Sequence, residues 1–180
     1  TISFDELESL VSTGEGLPLN VSDVMEKLQN RKKKANEWTD RVKEIVPNDD
    51  GDYYAWLKCI RRALDDSDKY GQLISLLSEG SRIPVDMDCM KLLQIEIDAR
   101  NWSIKAKPWI PLSMDASPED KTYKRGKLDD VHDHIGKASS LRDRLWFAKE
   151  DDSSKWVLEG ESELNEMIDM ADAWFDEVSP

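Results

Sequence analysis

His132 and His134 stand among three aspartates, Asp129, Asp130 and Asp133, and this is the one stretch of the chain with the composition of a metal centre. On a helix, Asp130 and His134 share a face at four-residue spacing, as do Asp129 and Asp133, whereas the two imidazoles at i, i+2 point apart. Two facing ligands are too few for zinc, so the cluster reads as a solvated polar face beside an apolar stripe of Val131 and Ile135. Asn48-Asp49-Asp50-Gly51-Asp52 and Asp65-Asp66-Ser67-Asp68 have the look of calcium loops. With Gly51 or Gly71 at the sixth loop position, Leu57 or Leu77 falls where a bidentate glutamate belongs, so both tracts read as turns and helix caps. Gly14, Gly16 and Gly80 lack the Lys-Ser/Thr of a phosphate loop and read as helix ends. Cys59 and Cys89 form no CxxC pair and have no base beside them in sequence, and the histidines cannot be matched to a nucleophile.

Residues able to grip another macromolecule are more numerous. Arg31-Lys32-Lys33-Lys34 is the sharpest basic run, with Lys121, Lys124, Arg125 and Lys127 as a second. Four consecutive helical residues spread around most of the circumference, so the first run makes no single flat phosphate-binding face and reads as a solvated surface. Trp109 and Ile110 sit in Lys107-Pro108-Trp109-Ile110-Pro111, where two prolines are expected to impose an extended turn. A tryptophan placed there either plugs the end of a helix bundle or anchors a partner. Arg31, Lys32, Lys33, Lys34, Trp109 and Ile110 are therefore the candidate partner-binding residues, and no catalytic, cofactor-binding or metal-ligating residue emerges.

The elements that must position these residues are helices. Val21, Val24, Leu28, Arg31, Ala35, Trp38, Val42 and Ile45 alternate three- and four-residue steps, which predicts a helix from about 21 to 46 that Pro47 to Gly51 then stops. Leu92, Ile95, Ala99, Trp102, Ala106 and Trp109 form a second stripe. A third comprises Leu128, Val131, Ile135, Ala138, Arg142 and Leu145, on a helix expected over about 118–149 that starts at Ser117-Pro118-Glu119-Asp120. Val157, Gly160, Leu164, Met167, Ala171, Trp174 and Val178 form a fourth, on a helix over about 153–178. Shorter helices are expected from Ser3 to Ser12, with Ser3 and Glu6 as a capping box, and over about 52–64 and 67–78. Nothing alternates with period two, so the fold class is all-α: an elongated antiparallel helical bundle or repeat of long heptad-bearing helices.

The 180 residues carry a net charge of −13, with 25 Lys plus Arg against 38 Asp plus Glu. Residues 150–180 hold eleven acidic side chains and one basic, so most of that charge lies at one end. Such a chain is repelled by phosphate backbones and anionic lipid, which argues against DNA and membranes as partners. No apolar run approaches the roughly 20 residues that cross a bilayer. Two isolated cysteines indicate a reducing compartment. The chain is expected to be a piece of a longer protein and to act as a single helical scaffold region.

Leu7, Leu10, Gly14, Leu17, Pro18 and Leu19 match Leu73, Leu76, Gly80, Ile83, Pro84 and Val85 at a constant offset of 66, and Ala35-x-x-Trp38 matches Ala99-x-x-Trp102 at 64. Repeat units therefore span about 3–46 and 67–110, each a short helix, a glycine expected to turn left-handed past its end, a proline turn and a long helix. Ala171-x-x-Trp174 gives a third copy of the latter half, and Trp38, Trp102 and Trp174 are all expected in the core. The small alanine lets a neighbouring helix approach while the indole covers the gap.

The pattern L-x-x-L-x-x-x-G-x-x-(L/I)-P-(L/V) followed by A-x-x-W resembles the PLU-like helical region of the jumonji/ARID histone demethylases, the Lid or JARID type, and the acidic, lysine-rich style is similar to their fungal branch. That resemblance implies a nuclear, chromatin-regulating parent that removes methyl groups from histone H3 lysine 4 with Fe(II) and 2-oxoglutarate in a separate jumonji domain, beside a zinc finger. It implies partners such as a class I histone deacetylase and a PHD-finger scaffold protein, with histone tails as a further candidate for the acidic end. No His-x-(Asp/Glu) motif with a distant histidine occurs here, so the chain itself is expected to bind no cofactor and catalyse nothing. It would be a spacer and docking module. A cytoskeletal or membrane-tethering helical repeat is the alternative, which leaves the repeated Gly-x-x-(L/I)-Pro turn unexplained.

Overall fold

The structure, a computed structural model, describes residues 1–18, 20–47, 51–110, 126–149 and 155–178. It comprises two compact units, Thr1–Glu96 and Ile97–Pro180. The fold is all-α, with seven α-helices among the described residues.

In the first unit, β1 (Ile2–Ser3) leads into α1 (Phe4–Glu15), α2 (Ser22–Ile45), α3 (Tyr53–Asp65), α4 (Ser67–Gly80), β2 (Val85–Asp86) and the start of α5 (Asp88–Ala106). The capping box at Ser3 forms as read: the Glu6 amide donates to Ser3 Oγ at 3.2 Å and the Ser3 amide to Glu6 Oε2 at 3.0 Å. The backbone hydrogen bond first, then the Ser3 hydroxyl, hold the Glu6 carboxyl below its ordinary range. The acidic tracts cap helices too, with Asp52 accepting from the Tyr54 amide and Asp66 from the amides of Asp68 and Lys69. Residues 48–50 of the first tract lie outside the described residues.

Helix α2 runs antiparallel to α1, since Met25 meets Gly14 while Lys32 meets Glu8. It buries Ala35, Trp38 and Val42. Along α5, Leu92, Leu93, Ile95, Glu96, Ile97 and Ala99 are all buried while Lys91, Gln94 and Asp98 on the remaining face are half-buried, so the helix is covered over more than half its circumference rather than along a narrow stripe. Glu96 is tolerable there because Arg61 grips both its oxygens, Nε to Oε2 at 2.9 Å and Nη2 to Oε1 at 3.1 Å. A two-residue parallel pairing of Ile2 with Val85 and Ser3 with Asp86 ties the residues before α1 to those before α5, too short to leave a period-two signal.

The second unit holds the rest of α5, a 3₁₀ turn at Lys107–Trp109, α6 (Leu128–Arg142) and α7 (Glu161–Val178). Arg142 pairs with Glu161 and His132 lies 3.7 Å from Asp172, so α6 and α7 run antiparallel.

Several expectations need correction. The helix expected over about 118–149 spans 128–142 among the described residues, with turns from 143 on; its expected start at Ser117 to Asp120 lies outside them. The helix expected over about 153–178 begins at Glu161, because Gly160, with φ of 88°, breaks the chain just before it. Gly14 and Gly80 are not left-handed: both lie inside their helices, and only Gly51 and Gly160 have positive φ among the described residues. Trp109 closes a 3₁₀ turn with Pro108 in its first positions instead of an extended segment. Trp174 is 57% exposed, not core.

Candidate functional site

Trp38 and Trp102, equivalent in the two repeats, are held in the same way. Each is buried, and each indole N–H donates at 2.7 Å to a backbone carbonyl of a facing helix, Trp38 to Leu76 and Trp102 to His134. Four residues after each accepting carbonyl stands a small buried residue, Gly80 and Ala138 respectively. The small residue opens the space that the ring fills. A Cβ on Gly80 would lie 2.6 to 2.9 Å from three atoms of the Trp38 ring, so close approach, not turn geometry, explains the repeat's glycine.

In the second unit the arrangement is reciprocal. His134 Nε2 lies 3.0 Å from the Trp102 carbonyl, an acceptor, so this nitrogen carries the hydrogen and donates. The imidazole and indole stack at 4.6 Å and 11°, and Trp109 meets the imidazole edge-on at 5.2 Å. Burial, the largest influence, pushes the His134 pKa down, against the hydrogen bond to Trp102 and with help from Lys137 and Lys105. His134, at 5% exposed, is thus a neutral core residue rather than part of a solvated face. The buried stripe of α6 is Val131, His134, Ala138, Leu141, with Leu145 beyond its end; His134 and Leu141 take the places expected for Ile135 and Arg142. Trp109 and Ile110 are half-buried. Trp109 also packs on Gly126, and Ile110 on Gly160, where an added Cβ would be 2.6 Å from its Cδ1.

The basic run is divided. Lys32 pairs with Glu8 of α1 at 2.8 Å, Lys33 pairs along its own helix with Glu37 at 3.8 Å, and Arg31 and Lys34 line a groove of about 930 Å³ beside Trp38, Arg82, Ile83 and Pro84. Part of the wall is therefore the proline turn of the second repeat. The lining is mixed in charge: Lys27, Arg31, Lys34 and Arg82 stand alongside Glu37, Asp40 and Glu44, and Arg41 pairs with Glu79 at 2.6 Å. The second basic cluster, Lys121, Lys124 and Arg125, lies outside the described residues except for the exposed Lys127.

A smaller cavity of about 440 Å³ is lined in part by Tyr53, Asp86, Asp88, Cys89 and Lys91. The Tyr53 hydroxyl donates to Asp88 at 2.7 Å, and this hydrogen bond, then burial and charge, push its pKa up to about 12. Burial, slightly offset by Lys43, pushes the Cys89 thiol up to about 12. For Lys91, burial opposes the charge, but hydrogen bonds and charges of Asp86 and Asp88 outweigh it and raise the pKa. Each shift deepens the state the group already has at neutral pH, so none is poised as a base or nucleophile. Among the described residues, no three His, Cys, Asp or Glu side chains are placed to hold a metal ion, and no helix is long and apolar enough to cross a membrane.

Helices clasped by repeated tryptophan contacts, with a charged groove along one of them, define an all-helical region. The family model described as PLU-1-like protein matches residues 1–179, and the chain belongs to that family, the helical region of JARID-type chromatin-associated proteins. No curated protein and no solved structure matches the chain.

Proposed function

We propose that the chain is a non-catalytic spacer and protein-docking module of a nuclear Lid-type histone demethylase. The observation that carries this reading is the repeated lock of Trp38 and Trp102 onto facing helices within a PLU-1-like region. A helix tied by side-chain to backbone hydrogen bonds and buried stripes resists bending, as a spacer must. The groove at Arg31 and Lys34 offers partners charged side chains of both signs beside an apolar wall of Ile83 and Pro84. The shifts at Tyr53, Cys89, Lys91 and His134 favour a structural role for the titratable groups most able to do chemistry. Iron, 2-oxoglutarate and zinc would belong to other domains of the parent, and a class I histone deacetylase and a PHD-finger scaffold protein are the partners proposed, with histone tails at the acidic end. Affinity purification of the intact protein tests the reading: co-purifying deacetylase and chromatin readers support it, whereas cytoskeletal or vesicle proteins in their place contradict it.

A further inference from the structure

Helix α7 is apolar beyond the part that packs. Leu164 and Ile168 are buried, Met167 and Ala171 half-buried, but Met170, Trp174, Phe175 and Val178 are each about half exposed. The three- and four-residue spacing continues unbroken, so a stripe that meets the core in the first half of the helix meets solvent in the second. Trp174 and Phe175 contact each other edge-on at 5.3 Å, forming one aromatic knob. Scattered exposed apolar residues are ordinary; four large ones within nine residues of one helix form a patch that calls for a partner.

The charge on the same helix says what kind. Among its 18 residues α7 carries seven acidic side chains and no basic one. Glu161 pairs with Arg142, and Asp172 lies beside His132. Glu163, Glu166, Asp169, Asp176 and Glu177 make no ion pair among the described residues. A second copy of α7 would set seven negative charges against seven, and an anionic membrane would be repelled. An extended basic tail would satisfy the charge but has no apolar residues at the spacing needed to cover Trp174 and Val178.

We infer that the second half of α7 docks a basic amphipathic helix of a partner protein, whose apolar stripe covers Met170, Trp174, Phe175 and Val178 while its lysines and arginines meet the flanking carboxylates. Helix-on-helix recognition reads anchors at this spacing, aromatic anchors dominate such contacts, and the carboxylates steer the partner and exclude acidic competitors. The inference rests on the docking reading above and assigns it a surface and a partner chemistry.

Three synthetic peptides test it by fluorescence anisotropy against the full chain: an amphipathic helix of leucines and lysines, the same with glutamates for lysines, and the same with serines for leucines. Only the first should bind. Adding salt should weaken binding, and Trp174→Ala with Phe175→Ala should weaken it roughly tenfold or more while leaving the far-ultraviolet circular dichroism unchanged. Glu166→Gln with Glu177→Gln, the two carboxylates beside the apolar face, should slow association and flatten the salt dependence. Equal binding of the glutamate or serine peptide, no binding of the first, or full affinity in the aromatic variant overturns the assignment. Self-association of the chain that the aromatic variant abolishes overturns it in favour of a second copy. Those failures concern α7 alone; the docking reading falls separately, if removing the whole region releases no partner.

Discussion

Replacing Gly80 by alanine should destabilise the first unit, although alanine is the better helix former. Gly80 is the last residue of α4, so the propensity gain is at most about 1 kcal/mol. Against it stands the contact of the new Cβ with Trp38 Cε2, Cζ2 and Nε1 at 2.6, 2.7 and 2.9 Å. The ring is only 1% exposed, so it has no solvent-side space to move into. Overpacking of this kind costs about 1–3 kcal/mol, and a ring that shifts leaves its buried N–H unsatisfied at about 1–3 kcal/mol more. The expected net loss is about 2–3 kcal/mol. Gly71 is an internal control: it lies in the same helix, nothing approaches its would-be Cβ within 4 Å, and Gly71→Ala should stabilise by about 0.5–1 kcal/mol. Urea unfolding followed by far-ultraviolet circular dichroism and tryptophan fluorescence would read both, and the two variants should move the first-unit midpoint in opposite directions. Gly80→Ala combined with Trp38→Phe should be less destabilised than the sum of the single changes. A Gly80→Ala chain as stable as its parent would refute the close-approach account of the repeat glycine.

Three further outcomes follow from the same geometry. Arg61→Met removes the bidentate partner of Glu96, which is 2% exposed, and should cost about 3 kcal/mol, with much of the loss recovered by adding Glu96→Met; chemical denaturation of the single and double variants checks this. Because the His134 pKa is depressed in the fold, the unfolded chain binds the proton first, so stability should fall as pH drops below about 6.5 and level off below the folded value. Nuclear magnetic resonance titration of the His134 ring would find its midpoint below the ordinary range, and a midpoint above it would contradict the buried neutral imidazole. Cys89, pushed up to about 12 by burial, should resist a thiolate-selective reagent in the native chain and react on unfolding, whereas the half-buried Cys59 should label first; mass spectrometry of timed samples distinguishes the two.

What the residues disclosed in advance was governed by local physics. The Ser3–Glu6 box and the aspartate caps at 52 and 66 depend on neighbours within three residues, so their patterns sufficed. Ala35-x-x-Trp38 and Ala99-x-x-Trp102 correctly marked core, but Ala171-x-x-Trp174 carries the same letters on a tryptophan that stands 57% exposed. The motif records a capacity for close approach, and only the tertiary fold decides whether anything approaches. On α6, Val131, Ala138 and Leu145 suit either of two stripes, one through Ile135 and Arg142 and the other through His134 and Leu141. Hydrophobicity favoured Ile135; the hydrogen bond to the Trp102 carbonyl and the stack on its ring settled the choice for the histidine. Arg61 and Glu96 were invisible as a pair because they are 35 residues apart. The groove at Arg31 and Lys34 was legible only as charge, since its other wall comes from the Ile83-Pro84 turn.

The docking role is tested most directly by deleting residues 1–180 from the intact protein and quantifying its co-purified partners beside the undeleted form. Loss of the deacetylase and the PHD-finger protein, at unchanged abundance of the remaining protein, is the expected result; retention of every chromatin partner together with unchanged demethylation would contradict it.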